Sequence, residues 1–229
     1  MTTATAPPAV TPSIRVYTRS TIADLLHQLG DIPADRVRMD PQPGLATLDD
    51  LIRVNEEKLG PLCEWIDNTL VERATGAYES WLAVIIAGKL LRYLEVNDRG
   101  MIYGANGVTE ILPGIGRAPD VAFVAWESLP GGKPPPREDK VPSVVPDLAI
   151  EVLSASNRPA EMARKRDEYF RAGVKRVWEI DPESRSANVF TGPDALTPVP
   201  ADGTLDGETI LPGFTLSLRD LFARADRRV

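Results

Sequence analysis

Apolar positions along this chain fall into two rhythms, one of helical period and one of strand period. In TIADLLHQLG, Ile22, Leu25, Leu26 and Leu29 recur at helical spacing and Gly30 closes the run, which predicts a short helix. TLDDLIRVNEE predicts a second, with Thr47 as cap and Asp50 three residues on. From Tyr78 to Leu94 the positions Trp81, Leu82, Ile85, Ile86, Leu90 and Leu94 draw a wide apolar stripe, so this stretch predicts a long helix. Further helices are expected from about Pro159 to Ala172, stopped by Gly173, and from Leu218 to Ala225.

Strand spacing dominates elsewhere. LCEWIDNTLVERA alternates around Asp67-Asn68 and predicts a hairpin, although Leu62 to Trp65 also fits a helix. MIYGANG, VTEILPG, PDVAFVAW, PDLAIEVLS, VKRVWEID and SANVFTG read as short strands between Gly- and Pro-rich breaks, with more around Glu208 and Phe214. The longest break, Leu129 to Pro142, contains GGKPPP and reads as a flap or irregular loop. No internal repeat or heptad pattern is present. Helix, consecutive strands, helix and strands again predict an α/β (α+β) fold with a mixed β-sheet flanked by helices. Residues 1–20, with Pro7, Pro8 and Pro12 among Thr and Ala, read as a disordered leader, 21–60 as a helical N-terminal extension, and 61–229 as the main domain.

Composition narrows the chemistry. At 229 residues and 43% hydrophobic, the chain can fill its own core. It has no apolar run of about 18 residues and no secretory signal, which predicts a cytoplasmic protein without a membrane partner. One Cys and one His exclude a Cys/His zinc framework, so any metal must be held by oxygen. His27, on an apolar helix, reads as structural. The net charge of −7 argues against a protein that coats DNA through Lys and Arg, but suits one that holds cations and still leaves room for a local basic patch.

Two carboxylates stand out. Strand alternation sets Asp147, Ala149, Glu151 and Leu153 on one face and Leu148, Ile150 and Val152 on the other. Glu151, between Ile150 and Val152, is costly to bury as a charge without a partner. Asp120, opening the PDVAFV strand, is a plausible co-ligand, and two such oxygens with water and a substrate phosphate satisfy Mg²⁺. A buried salt bridge to a Lys or Arg of the following helix would satisfy Glu151 equally well. On that helix both Lys165 and Arg166 fall on the inward arc, and spacing does not choose between them; Glu161 and Lys165 also form an ordinary i,i+4 pair. Glu79, in the first turn of the long helix, faces inward with Leu82, Ala83 and Ile86, and reads either as a catalytic acid or as a dipole-favoured cap. PGIG lacks the setting of a phosphate loop.

The order PDVAFV, a Pro-rich loop, VPDLAIEVLSASN, then ARKRDEYFRAGVKRVWEIDPESRSANVF resembles the Uma-type restriction endonucleases, a bacterial branch of the PD-(D/E)xK nuclease superfamily. The likeness runs from about Leu62 to Phe214 and is most specific from Pro146 to Pro182. It implies a restriction-endonuclease-like core and a metal-dependent endonuclease that hydrolyses phosphodiester bonds in DNA. By resemblance Asp120 is the Asp of the PD motif and Glu151 its second acid. Leu153 stands where the plain motif has Lys; that role passes to Lys165, and Glu79 matches the acid of the first core helix. The implied metal, Mg²⁺ or Mn²⁺, would be held by Asp120, Glu151, the Val152 carbonyl and, through water, Glu79. Asp147 would join a second ion or cap its strand. Cutting both strands makes a homodimer plausible. The competing readings are an inactive nuclease-fold module binding nucleic acid or a protein, and an interaction protein whose buried carboxylates are satisfied by Arg164, Arg166 or Arg171.

Overall fold

The computed structural model describes residues 21–57, 60–74 and 76–227; the leader expected over 1–20 lies outside them. In chain order the elements are α1 (Ile22–Gln28), α2 (Leu48–Glu57), β1 (Cys63–Ile66), β2 (Thr69–Glu72), α3 (Ala77–Leu94), β3 (Gly100–Gly104), β4 (Thr109–Leu112), β5 (Ile115–Arg117), β6 (Val121–Ala125), β7 (Leu148–Val152), α4 (Pro159–Ala172), β8 (Arg176–Asp181), β9 (Ser186–Phe190), β10 (Leu196–Val199), β11 (Thr204–Asp206), β12 (Thr215–Ser217) and α5 (Leu218–Ala225). Six strands form the central sheet in the order β10-β9-β8-β7-β6-β3. It is mixed, because β7 and β8 run parallel across the α4 crossover while every other neighbouring pair is antiparallel. A smaller antiparallel sheet has the order β2-β1-β5-β4, and β11 pairs with β12. The fold is α+β, a mixed sheet flanked by helices.

Local chemistry explains the boundaries. Thr21 Oγ1 accepts the Asp24 N–H at the start of α1. At α2, Thr47 Oγ1 accepts the Asp50 N–H while Asp50 Oδ2 accepts the Thr47 N–H, a reciprocal box with Asp in the usual Glu place. Pro159 starts α4, and Gly173, at φ 105°, ends it in the left-handed conformation. Between β1 and β2, Asp67 and Asn68 take φ 48° and 56°, as a tight two-residue hairpin demands. The hairpin therefore holds, and the helical option over Leu62 to Trp65 does not.

The two faces of the central sheet bury different helices. Leu148, Ile150 and Val152 pack with Leu82, Ile86 and Leu90 of α3 and with Leu221 and Phe222 of α5. Ala149, on the opposite face, packs with Tyr169 of α4, Val177 and Phe190. The expected alternation along β7 is thus what separates the helical layers. α2 packs onto the small sheet through Leu51 and Val54 against Cys63, Trp65 and Leu70. α1 adds Leu25 and Leu29 against Ile66 and Val71.

Front and rear are also tied through α4. At Gly30 a Cβ would stand 2.5 Å from the Glu161 Cα, so the close approach of the α1 terminus to α4 requires glycine. Arg36 grips Glu161 with two hydrogen bonds of 2.8 and 3.1 Å, so Glu161 is not the i,i+4 partner of Lys165. His27 is not structural: its side chain is 82% exposed and reaches only Asp31. Two strands escape the strand-spacing signal, β5 with Gly116 at its centre and β10 with Pro198 on an exposed edge. PGIG begins in the turn between β4 and β5, with Gly114 at φ 79°, and its Ile115 and Gly116 are the first residues of β5.

The layering predicts unequal responses along α3. Ile86→Ala, at a fully buried position, should lower the unfolding free energy by about 2–5 kcal/mol. Val84→Ala, at a position 58% exposed, should stay within about 0.5 kcal/mol of wild type. Urea denaturation of both variants checks the assignment of the two helix faces.

Candidate active site

The antiparallel register of β6 and β7 pairs Val121 with Ile150, so Asp120, one step beyond, stands opposite Glu151. Asp120 Oδ2 accepts the Val152 N–H at 2.8 Å, which locks its carboxylate onto the neighbouring strand. Both acids lie on the α4 side of the sheet, because Val121 and Ile150 occupy the α3 side.

Glu151 is buried and both its oxygens are engaged. Tyr169 Oη donates to Oε1 at 2.6 Å and Lys165 Nζ donates to Oε2 at 3.0 Å. Lys165 is thus the residue aimed at Glu151, whereas Arg166 binds Glu179 at 2.7 Å and lies over the Phe190 ring. None of the three arginines offered as alternative partners satisfies Asp120 or Glu151: Arg164 pairs with Asp67 and Glu168, Arg166 with Glu179, and Arg171 with Asp167 on the surface.

Sequence reasoning missed a third acid, Glu64 on β1. It lies 3.5 Å from Lys165 Nζ, accepts from Arg117 Nη1 at 2.7 Å and from the Ala118 N–H at 3.1 Å, and has Arg73 Nε at 4.0 Å. Arg73, in the turn after β2, was missed as well. Its Nη2 donates to Asp120 Oδ1 at 2.8 Å and its Nη1 to the Ala105 carbonyl. The signal for Glu64 was present, since a carboxylate between Cys63 and Trp65 raises the same question as Glu151 between Ile150 and Val152.

Burial and charge set the protonation of this cluster. Burial pushes the Glu151 carboxyl up to about 7, reinforced by Asp120 and Glu64 and opposed by Lys165 and Arg73. Burial also works against ionised Glu64, but Lys165, Arg117 and Arg73 together outweigh it and hold its carboxyl well below the usual range. Lys165 loses to desolvation and gains more from Glu151 and Glu64, so its ammonium is held more firmly than usual. Tyr169 is buried beside Glu151 and stays protonated, a donor.

Glu79 arrives from α3, on the other face of the sheet. It lines a cleft of about 380 Å³ with Arg73, Asp120, Val152 and Ser154. Its carboxylate folds back on Gly76, where a Cβ would stand 1.8 Å from Oε2, so a larger residue at 76 would push that carboxylate away. Among the described residues no three His, Cys, Asp or Glu side chains are grouped so as to hold a metal ion. Asp147 lies apart from the cleft: it accepts from the Ala125 N–H at 2.7 Å and Ser128 at 2.9 Å and pairs with Lys175, a structural tie.

Residues 48–219 match the sequence model of the Uma2 family, described as "Putative restriction endonuclease". The chain belongs to the Uma2 family. Its fold is similar to a crystal structure titled "a putative nuclease" from Anabaena variabilis, with TM-score 0.62 and 16% identity, over 74% of this chain and 96% of that one. No curated protein matches the chain. The Uma2 match begins at α2, so it takes in a helix of the front segment as well as the sheet that carries Glu64.

The raised Glu151 carboxyl gives a pH signature in metal-free protein. Its folded value near 7 lies above the ordinary 4.5, so its contribution to stability is complete below pH 4.5 and is lost as pH rises through about 7. Urea unfolding in chelator should show wild type losing stability relative to Glu151→Gln over that interval. A difference that stays flat with pH would contradict the assignment.

Proposed function

We propose that this Uma2 protein is a metal-dependent endonuclease that hydrolyses phosphodiester bonds in DNA. The carrying observation is the β6–β7 register that sets Asp120, on the wall of an open cleft, opposite the buried Glu151, with Lys165 Nζ 3.0 Å from that second acid. The donor set suits a hard divalent cation: oxygen donors only, with Asp120 and Glu151 opposite each other on neighbouring strands. Asp120, Glu151 and the Val152 carbonyl would hold it, with Glu79 reaching it through water.

Mg²⁺ or Mn²⁺ bound there would bring the pKa of a coordinated water toward neutrality and offset charge on the scissile phosphate. The chain's own groups do the rest. Lys165 orients the attacking water and stabilises charge developing on the phosphoryl oxygens. Tyr169 fixes the Glu151 carboxylate through Oε1, and Lys165 Nζ lies 3.0 Å from both of its oxygens. Glu64 keeps Lys165 charged. Cleavage of both strands of a duplex would be served by a homodimer. No helix among the described residues is long and apolar enough to cross a membrane, and the proposal places the protein in the cytoplasm with its nucleic acid.

One observation favours a second reading, a nuclease fold that binds without cutting: both Glu151 oxygens already have protein partners. Cleavage of supercoiled plasmid and of single- and double-stranded oligonucleotides separates the two. The nuclease reading expects cutting with Mg²⁺ or Mn²⁺ that stops in EDTA and falls to that level in Asp120→Ala and Glu151→Ala. Lys165→Met should slow cutting by about 10²–10³-fold. Folded wild type that binds DNA and leaves every substrate intact would favour the binding module.

A further inference from the structure

We infer that Arg73 and a divalent cation compete for Asp120, so that Arg73 is the site's internal counterion when no metal is bound. The inference rests on the proposed metal site. Arg73 is nearly buried, its side chain 6% exposed, yet it lines the same cleft as Asp120 and Glu79. Its Nη2 lies 2.8 Å from Asp120 Oδ1, and the other carboxylate oxygen is taken by the Val152 N–H. Oδ1 is therefore the oxygen an incoming cation must share or win. The guanidinium does not depend on Asp120 alone: Nη1 donates to the Ala105 carbonyl and Nε faces Glu64 at 4.0 Å. Released from Asp120, it keeps two anchors and stays on the cleft wall.

Charge balance points the same way. Asp120, Glu151 and Glu64 share two buried cations, Arg73 and Lys165, with Arg117 assigned to Glu64 and Glu168. A divalent ion added beside Asp120 makes Arg73 surplus there, and like charges at such separations repel strongly away from bulk water. The freed Nη2 then offers its N–H groups to a substrate phosphate, a charge-assisted contact. Metal binding and phosphate binding become linked through one side chain.

The test uses Mn²⁺ alone as probe, with no cleavage assay. In wild type, Arg73 should be protected from phenylglyoxal without metal and labelled when Mn²⁺ is added, read by peptide mass. Arg73→Gln, checked for folding by circular dichroism, should bind Mn²⁺ at least about tenfold more tightly than wild type in a calorimetric titration. A purely structural arginine gives the opposite sign, because its loss disorders Asp120 and weakens binding. Unchanged labelling in wild type overturns the inference even if the variant fails to fold. Equal or weaker Mn²⁺ affinity in the folded variant also overturns it, with the metal site left standing. Absence of Mn²⁺ binding by wild type removes the metal site and the inference together.

Discussion

One ammonium group, Lys165 Nζ, lies between two buried carboxylates that come from different sheets: Glu151 on β7 of the central sheet and Glu64 on β1 of the small one. It serves both acids at once, and removing one member of such a group costs about 3–5 kcal/mol because the charges left behind cannot be rehydrated. The helix that supplies Lys165 is fixed accordingly. Arg36 holds Glu161, Arg117 holds Glu168, and Arg164 joins Glu168 to Asp67. The front segment and the small sheet thus act as a clamp on α4, and α4 sets the distance from lysine to carboxylate at the site.

This arrangement also explains why the site is built asymmetrically. Glu64 receives three cations and a backbone donor and is held ionised; Glu151 shares one lysine and is pushed toward neutrality. The acid left short of positive charge is the one beside Asp120. If a cation binds beside Asp120 as proposed, Glu151 is the buried acid it would relieve. The cost of burying Glu151 is offset locally by Lys165 and Tyr169.

Much of this was legible in the sequence wherever one local rule sufficed. The β1–β2 hairpin followed from Asp67-Asn68, the span of α4 from Pro159 and Gly173, and the isolation of Glu151 from its Ile150 and Val152 neighbours. Lys165 was placed on the right arc, but separating it from Arg166 needed Glu179 on β8, a partner no helical projection contains. Glu64 and Arg73 were hidden for the same reason: their meaning lies in contacts to residues 47 or more positions away, made across two sheets whose packing no spacing rule gives. β5 and β10 were lost because Gly116 and Pro198 disguise strands that tertiary pairing supports. Glu79 is half-buried on the cleft wall, yet α3 lies across the sheet from Glu151, and sequence periodicity carries no information on which face a helix takes.

The central claim is that Asp120 and Glu151 form one cation site governed by Lys165. Diffraction from crystals soaked in Mn²⁺, measured at the manganese absorption edge, tests it directly. The account predicts one anomalous peak bonded by carboxylate oxygens of Asp120 and Glu151, with Lys165 still beside Glu64. An absence of any peak between them at saturating Mn²⁺, with Glu151 still bound by Lys165 and Tyr169 and Asp120 by Arg73, would contradict it.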